Sequence, residues 1–209
     1  MKLSKILAPL LALCLFASTA CASTFIDAHG NEIQLDDSLE AYAAVTLVGA
    51  DDAARQGETN LGDLWTDALR WFAVSGEINA AFDEDDVKAG NDHIAVDADH
   101  VVALWNGGNL RADIAEGTFG AEALAEVLPF PNKVAVVYMS GAQLLEALEA
   151  ASQALPYTAE TADACASLMQ VSGLTYTVDT AKAYDALEAY GDHWFTAGSV
   201  SRVRIDDVN

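Results

Sequence analysis

Apolar residues recur at helical spacing from Leu61 onward: Leu61, Leu64, Trp65, Ala68, Leu69 and Phe72 fall on one face. Asn60 just before them is a good N-cap, and Asp63 places a carboxylate in the first turn. A second helix is expected from Ser140-Gly141 to about Ala154, with Leu144, Leu145 and Leu148 on one side. A third, shorter one runs from Gly120 to Val127 and ends before Pro129. Strands are expected where apolar and β-branched residues cluster or alternate: Ala43–Val48, 101–105, Val134–Met139, Leu168–Val178 (a pair or one bulged strand) and Ser199–Val208. Thr24 to Leu35 reads as a hairpin turning at His29-Gly30-Asn31, and Asp36–Glu40 as a polar linker. Gly76–Asp99, with its run Asp83-Glu84-Asp85-Asp86, reads as a solvated acidic insertion. Thr158–Ala166 reads as a polar loop, and Tyr184–Gly191 as a loop or short helix. Helices and strands intermix, which fits an α+β or α/β domain.

The N-terminus changes this picture. Met1-Lys2-Leu3-Ser4-Lys5 is a basic start, Ile6–Ala17 an apolar core too short to span a bilayer, and Ala20-Cys21-Ala22 a small-residue cleavage site. Residues 1–22 are therefore expected to be a signal peptide, 23–50 an N-terminal extension with the hairpin, and 51–209 the main domain. The chain would be exported, to a periplasm or the extracellular space. The rival reading is a lipoprotein anchored at Cys21, but Ser18-Thr19-Ala20 lacks the leucine usual three residues upstream. Cleavage leaves Cys165 as the sole cysteine, so no intramolecular disulfide is expected, and a buried apolar role fits it best.

Charge narrows the partners. The chain has 32 Asp and Glu against 10 Lys and Arg, a net −22. An acidic surface of this kind argues against nucleic-acid polymers. After cleavage the cations are Arg55, Arg70, Lys88, Arg111, Lys133, Lys182, Arg202 and Arg204. One of them follows the most informative turn of the chain, Trp105-Asn106-Gly107-Gly108-Asn109-Leu110-Arg111. A strand, two glycines and a guanidinium form a plausible anion site, because the planar fork of arginine matches phosphate or carboxylate oxygens.

Further landmarks stand in a definite order: Glu58-Thr59-Asn60-Leu61-Gly62-Asp63-Leu64, then Asn106–Arg111, Leu128-Pro129-Phe130-Pro131-Asn132, Ser140-Gly141, Gln170-Val171-Ser172-Gly173-Leu174 and Arg202-Val203-Arg204. Together they resemble the C-terminal domain of the 5′-nucleotidase family, from about Arg55 to Asn209. The resemblance implies an α+β fold with mixed β-sheet layers packed with helices, in a single domain that binds the substrate nucleotide. It implies that Arg111 and Arg55 hold phosphate, Asn106 orients the ligand, Phe130 stacks on the base, Asn132 bonds a base edge and Gly173 lets backbone approach the base. In the family a separate metallophosphatase domain carries two metals and hydrolyses the ester. No stretch here matches it, nor the family's later segment with a second stacking aromatic and a ribose-binding aspartate, so the domain is expected to be truncated at its C-terminal end. The resemblance thus implies a domain tied to nucleotide catabolism but not catalytic alone, with no cofactor of its own. Divalent metals would enter only with a metallophosphatase subunit, and no membrane span is expected.

Plainer readings stand beside these. Arg111 has Asp113 and Glu116 as possible ion-pair partners, Arg55 has Asp51 and Asp52, and Phe130 is a possible core residue. Glu58 and Asp67 read as structural. Asp27-Ala28-His29 and Asn91-Asp92-His93 imitate metal motifs, but a two-metal site needs several converging ligands and no second motif supports either. The rival functions are a surface binding protein that kept the fold and a self-sufficient phosphatase built on Asp27 and His29.

Overall fold

The computed structural model describes residues 23–26, 32–35, 41–50, 52–82, 84–90, 93–186, 200–201, 204–206 and 208. The signal peptide, Asp27, His29, Asn91 and Asp92 lie outside the described residues. Strand β1 (Ser23–Ile26) pairs antiparallel with β2 (Glu32–Leu35). After β3 (Ala41–Ala43) come α1 (Ala53–Gln56), α2 (Asn60–Val74) and α3 (Glu84–Lys88). Then follow β4 (Ala103–Asn106), β5 (Gly117–Phe119), α4 (Ala121–Val127) and α5 (Gly141–Ala151). The chain continues through β6 (Met169–Ser172), β7 (Thr177–Val178), β8 (Asp185–Ala186), β9 (Val200–Ser201) and β10 (Ile205–Asp206). The fold is α+β in a single domain. The strand pairs β3–β5, β4–β6, β7–β10 and β8–β9 are antiparallel. Among the described residues no helix is long and apolar enough to cross a membrane.

Helix α2 organises the centre. Its apolar face packs on β4 and β6, with Leu61 buried and Trp65 set edge-on to Trp105 at a ring separation of 5.4 Å. The main core joins Ala43, Leu47, Ala54, Leu61, Leu110, Ile114 and Val127. The N-cap of α2 is Thr59, whose hydroxyl accepts from the Gly62 N–H, and not Asn60. Asn60 is drawn away: its amide accepts from Val48 N–H and donates to Thr46 carbonyl, so it pins the 46–48 segment instead. That segment, expected as one strand from Ala43 to Val48, pairs only at Ala41–Ala43 and through the Leu47–Ile114 bridge.

Gln170 joins these elements. It is 1% exposed, and every bonding position of its amide is used. The carbonyl accepts from the Thr59 N–H at 3.0 Å and the Thr59 hydroxyl, while the NH₂ donates to the carbonyls of Ala54 at 3.0 Å and Gly57 at 2.8 Å. Gly62 makes room for it: a Cβ there would stand 2.1 Å from Gln170 Oε1. Gly107 closes on the chain just before that helix, where a Cβ would stand 1.9 Å from the Ala54 carbonyl oxygen.

A second knot holds the C-terminal strands. The buried Glu149 carboxylate accepts from the backbone N–H groups of Arg204 and Ile205 at 2.9–3.0 Å. The buried Arg204 guanidinium returns bonds to the carbonyls of Ser152, Gln153 and Leu155 past the end of α5, and to Lys182. Orphan carbonyls at a helix end and unpaired N–H groups at a strand are satisfied reciprocally.

Helix α5 starts where the sequence suggests, and a capping box of Ser140 with Gln143 closes its N-terminus. The strand expected at Val134–Met139 does not form. Residues 131–140 have no regular structure, and Val134, Val137, Tyr138 and Met139 are exposed, Tyr138 by 81%. Strand propensity alone does not stabilise an extended segment; a partner strand does, and no described element pairs with this one.

Replacing Gln170 with Leu is expected to destabilise the fold by about 3 kcal/mol or more, since three buried backbone groups lose their partners. Urea unfolding measures it, with the exposed Gln153→Leu as a near-neutral control.

Candidate functional site

Gly107 and Gly108 end β4 in a single 3-10 turn, Gly107–Asn109. The two glycines are buried by protein: Gly107 by Ala54 and Gly108 by Ala166, to which an added Cβ would come within 2.3 Å. Their small size seats the turn against α1 and the 164–167 turn, rather than opening a space for ligand. Asn106 is engaged in the same place. Its amide NH₂ donates to the Ala166 carbonyl at 3.2 Å, and its oxygen accepts from Asn109 at 2.8 Å.

Arg55 points at the neighbouring stretch. Its Nη1 donates to the Ala162 carbonyl at 2.8 Å and lies 3.7 Å from the exposed Asp163 carboxylate. Among the described residues Asp163 is its ionic partner, while Asp52 accepts from the Tyr157 hydroxyl; Asp51 lies outside the described residues. Arg55 Nε is buried without a hydrogen-bond partner. The 162–166 segment thus holds Arg55 and Asn106 from one side.

Arg111 is exposed. Its backbone N–H bonds the Val127 carbonyl at 2.9 Å, and Nη1 donates to Gly108. The bond to Val127 ties the arginine to the end of α4, from which Phe130 and Asn132 follow. Phe130 is 49% exposed, and Asn132 folds back so that its N–H meets the Phe130 carbonyl. Arg111, Phe130 and Asn132 are all exposed, and the Val127 bond joins the backbone of Arg111 to the chain three residues before Phe130. Asp113 accepts from the N–H groups of Gly49 and Ala50.

Gly173 lies elsewhere. The β4–β6 register sets Ala103 opposite Ser172 and Asn106 opposite Met169, so Gly173 stands beyond the far end of the ladder from Asn106, roughly 13 Å along it. Its φ is 89°, and a Cβ would meet Val101 and Arg70. Glycine is required there by backbone conformation and by the bond from Arg70 Nε to the Val101 carbonyl.

A carboxyl cluster escaped the sequence reading. Asp63 is pushed up from 3.8 to about 7, chiefly by burial, then by the charge and hydrogen bond of Glu58 and the charge of Asp67. These outweigh the helix N-terminus, which favours the anion. Asp67 accepts from the Ser172 hydroxyl at 2.6 Å, as expected of a structural carboxylate. The i, i+4 repeat of Asp63 and Asp67 was the available clue. Among the described residues no group of three His, Cys, Asp or Glu side chains is placed to hold a metal ion. Cys165 is buried at 1% exposure.

The α+β layout and the order of its sequence motifs are those of a domain of the nucleotidase type. Residues 22–208 match the family described as the 5′-nucleotidase C-terminal domain, and the chain belongs to that family. The chain is 28% identical over 153 residues to the trifunctional nucleotide phosphoesterase protein YfkN of Bacillus subtilis (strain 168), covering 73% of this chain and 9% of that protein. The crystal structure of a 5′-nucleotidase precursor from Thermus thermophilus matches 80% of this chain at 30% identity with a TM-score of 0.52. This chain spans 24% of that one.

The Asp63 carboxyl stabilises the fold while protonated. Its contribution is present below about pH 4 and is lost as pH rises through about 7. Asp63→Asn is therefore expected to flatten the decline in melting temperature between about pH 4 and pH 7. A thermal melt series in both proteins reads this directly; parallel curves would refute it.

Proposed function

We propose that this chain is an exported nucleotide-recognition domain that binds nucleoside 5′-phosphates for a 5′-nucleotidase-type hydrolysis, without cleaving them alone. The observation that carries the reading is the exposure of Arg111, Phe130 and Asn132 together with the bond tying Arg111 to the end of α4. In this reading the guanidinium takes the phosphate, the ring stacks on the base and the amide bonds the base edge. Electrostatics support the role of Arg111, because a cation in so acidic a chain is the natural seat for a small anion. The metal-activated nucleophile would come from a metallophosphatase domain or subunit, which would also supply the divalent ions. Export follows from the signal-like segment at residues 1–22.

A second reading is a binding protein that kept the fold but shifted its ligand. It is favoured by the engagement of Arg55 and Asn106 with the 162–166 segment, which leaves fewer polar groups for phosphate.

Calorimetric titration with AMP distinguishes them. The parent chain is expected to bind, and Arg111→Ala to weaken binding at least about tenfold, the size of a lost charge-assisted hydrogen bond. No detectable heat with the parent rules out nucleotide recognition. Incubation with AMP and divalent metals is expected to release no phosphate; chelator-sensitive release by the purified chain would establish independent catalysis.

A further inference from the structure

A cavity of about 570 Å³ opens between the Gln56-Gly57-Glu58 turn, the 155–157 turn, β6 and β7. None of Arg55, Asn106, Arg111, Phe130, Asn132 or Gly173 is among its described lining residues. The volume suits a small organic ligand. Its wall chemistry is selective. Glu58 is the only charged group among the described lining residues. A phosphate would meet that carboxylate with no cation to offset it.

The remaining wall mixes aliphatic and aromatic side chains with uncharged polar groups. Tyr157 and Tyr176 both line it. Their hydroxyls are committed elsewhere, Tyr157 to Asp52 and Tyr176 to the Met169 carbonyl at 2.7 Å. What they leave for a ligand is ring surface. Gln170 also lines the cavity, but its amide is fully used by Thr59, Ala54 and Gly57. Glu58 already accepts from the protonated Asp63 carboxyl, but a carboxylate has further acceptor positions, so it remains the principal acceptor, and the hydroxyls of Thr175 and Thr177 supply further polar contacts.

We infer that this cavity is a second site for an uncharged nucleoside whose heterocycle carries an amino group, separate from the Arg111 site. The planar ring lies against tyrosine and aliphatic surface. The exocyclic amine donates to Glu58, and the sugar hydroxyls face the threonines. The choice of a nucleoside rests on the proposed function, in which a nucleoside is what remains once phosphate leaves. The exclusion of phosphate rests on the wall alone. Substrate and dephosphorylated product would then occupy different places on one domain.

Titration calorimetry with adenosine, inosine and AMP tests it. Adenosine is expected to bind the full chain about tenfold more tightly than inosine, which lacks the amine. It should bind equally well with AMP at saturation. Glu58→Ala removes the acceptor while relieving the crowding on Asp63, so the fold is spared; it should abolish the preference for adenosine. Leu174→Trp fills the cavity and should weaken adenosine about tenfold, with a thermal melt confirming that the variant is folded. Absence of adenosine binding, displacement of adenosine one for one by AMP, or indifference to Glu58→Ala would overturn the inference. If adenosine binds as described while AMP does not bind at all, the cavity assignment stands and the nucleotide reading of the Arg111 site falls.

Discussion

One buried amide holds the centre of this domain. Gln170 stands on β6, yet its bonds all reach the chain leading into α2, between Ala54 and Thr59. An apolar residue in that place would leave three backbone groups in a dry environment, each costing on the order of 1–3 kcal/mol. The amide therefore fixes the path of residues 54–59, and with it the directions of Arg55 and Glu58. Gly62 and Gly107 are consequences of the same constraint. One must clear the amide and the other must reach the Ala54 carbonyl that the amide also holds.

Charge is used sparingly inside and generously outside. Glu149 and Arg204 are both buried, but each spends its bonds on backbone: the carboxylate on strand N–H groups, the guanidinium on carbonyls beyond a helix end. Two ions that would be costly in isolation become fasteners because their hydrogen-bonding capacity meets groups that otherwise lack partners. Asp63 shows the opposite solution. Crowded by Glu58 and Asp67 and partly buried, it retains its proton toward neutral pH.

Helix α2, helix α5 and the β4–turn–Arg111 unit were legible in the sequence, because local periodicity and punctuation encode them. The order of motifs also disclosed the family. Roles that depend on distant neighbours were not legible. Asn60 looked like a cap until Val48 and Thr46 competed for its amide. Gly107-Gly108 looked like an opening for ligand, but Ala54 and Ala166 fill that space. Gly173 follows its motif faithfully, yet the strand register sets it away from Asn106. Gln170 was visible as a letter in a motif, while its function lies in contacts more than a hundred residues distant.

The segment at residues 131–140 has a further consequence for handling this protein. Its exposed apolar side chains, Val134, Val137, Tyr138 and Met139, give it the makings of a self-templating edge. The surrounding net charge of −22 works against that tendency by keeping copies apart. Mutual repulsion of this kind has a range of about 10 Å at 0.1 M salt and about 3 Å at 1 M. Colloidal stability in this acidic chain is therefore governed by ionic strength at least as much as by temperature.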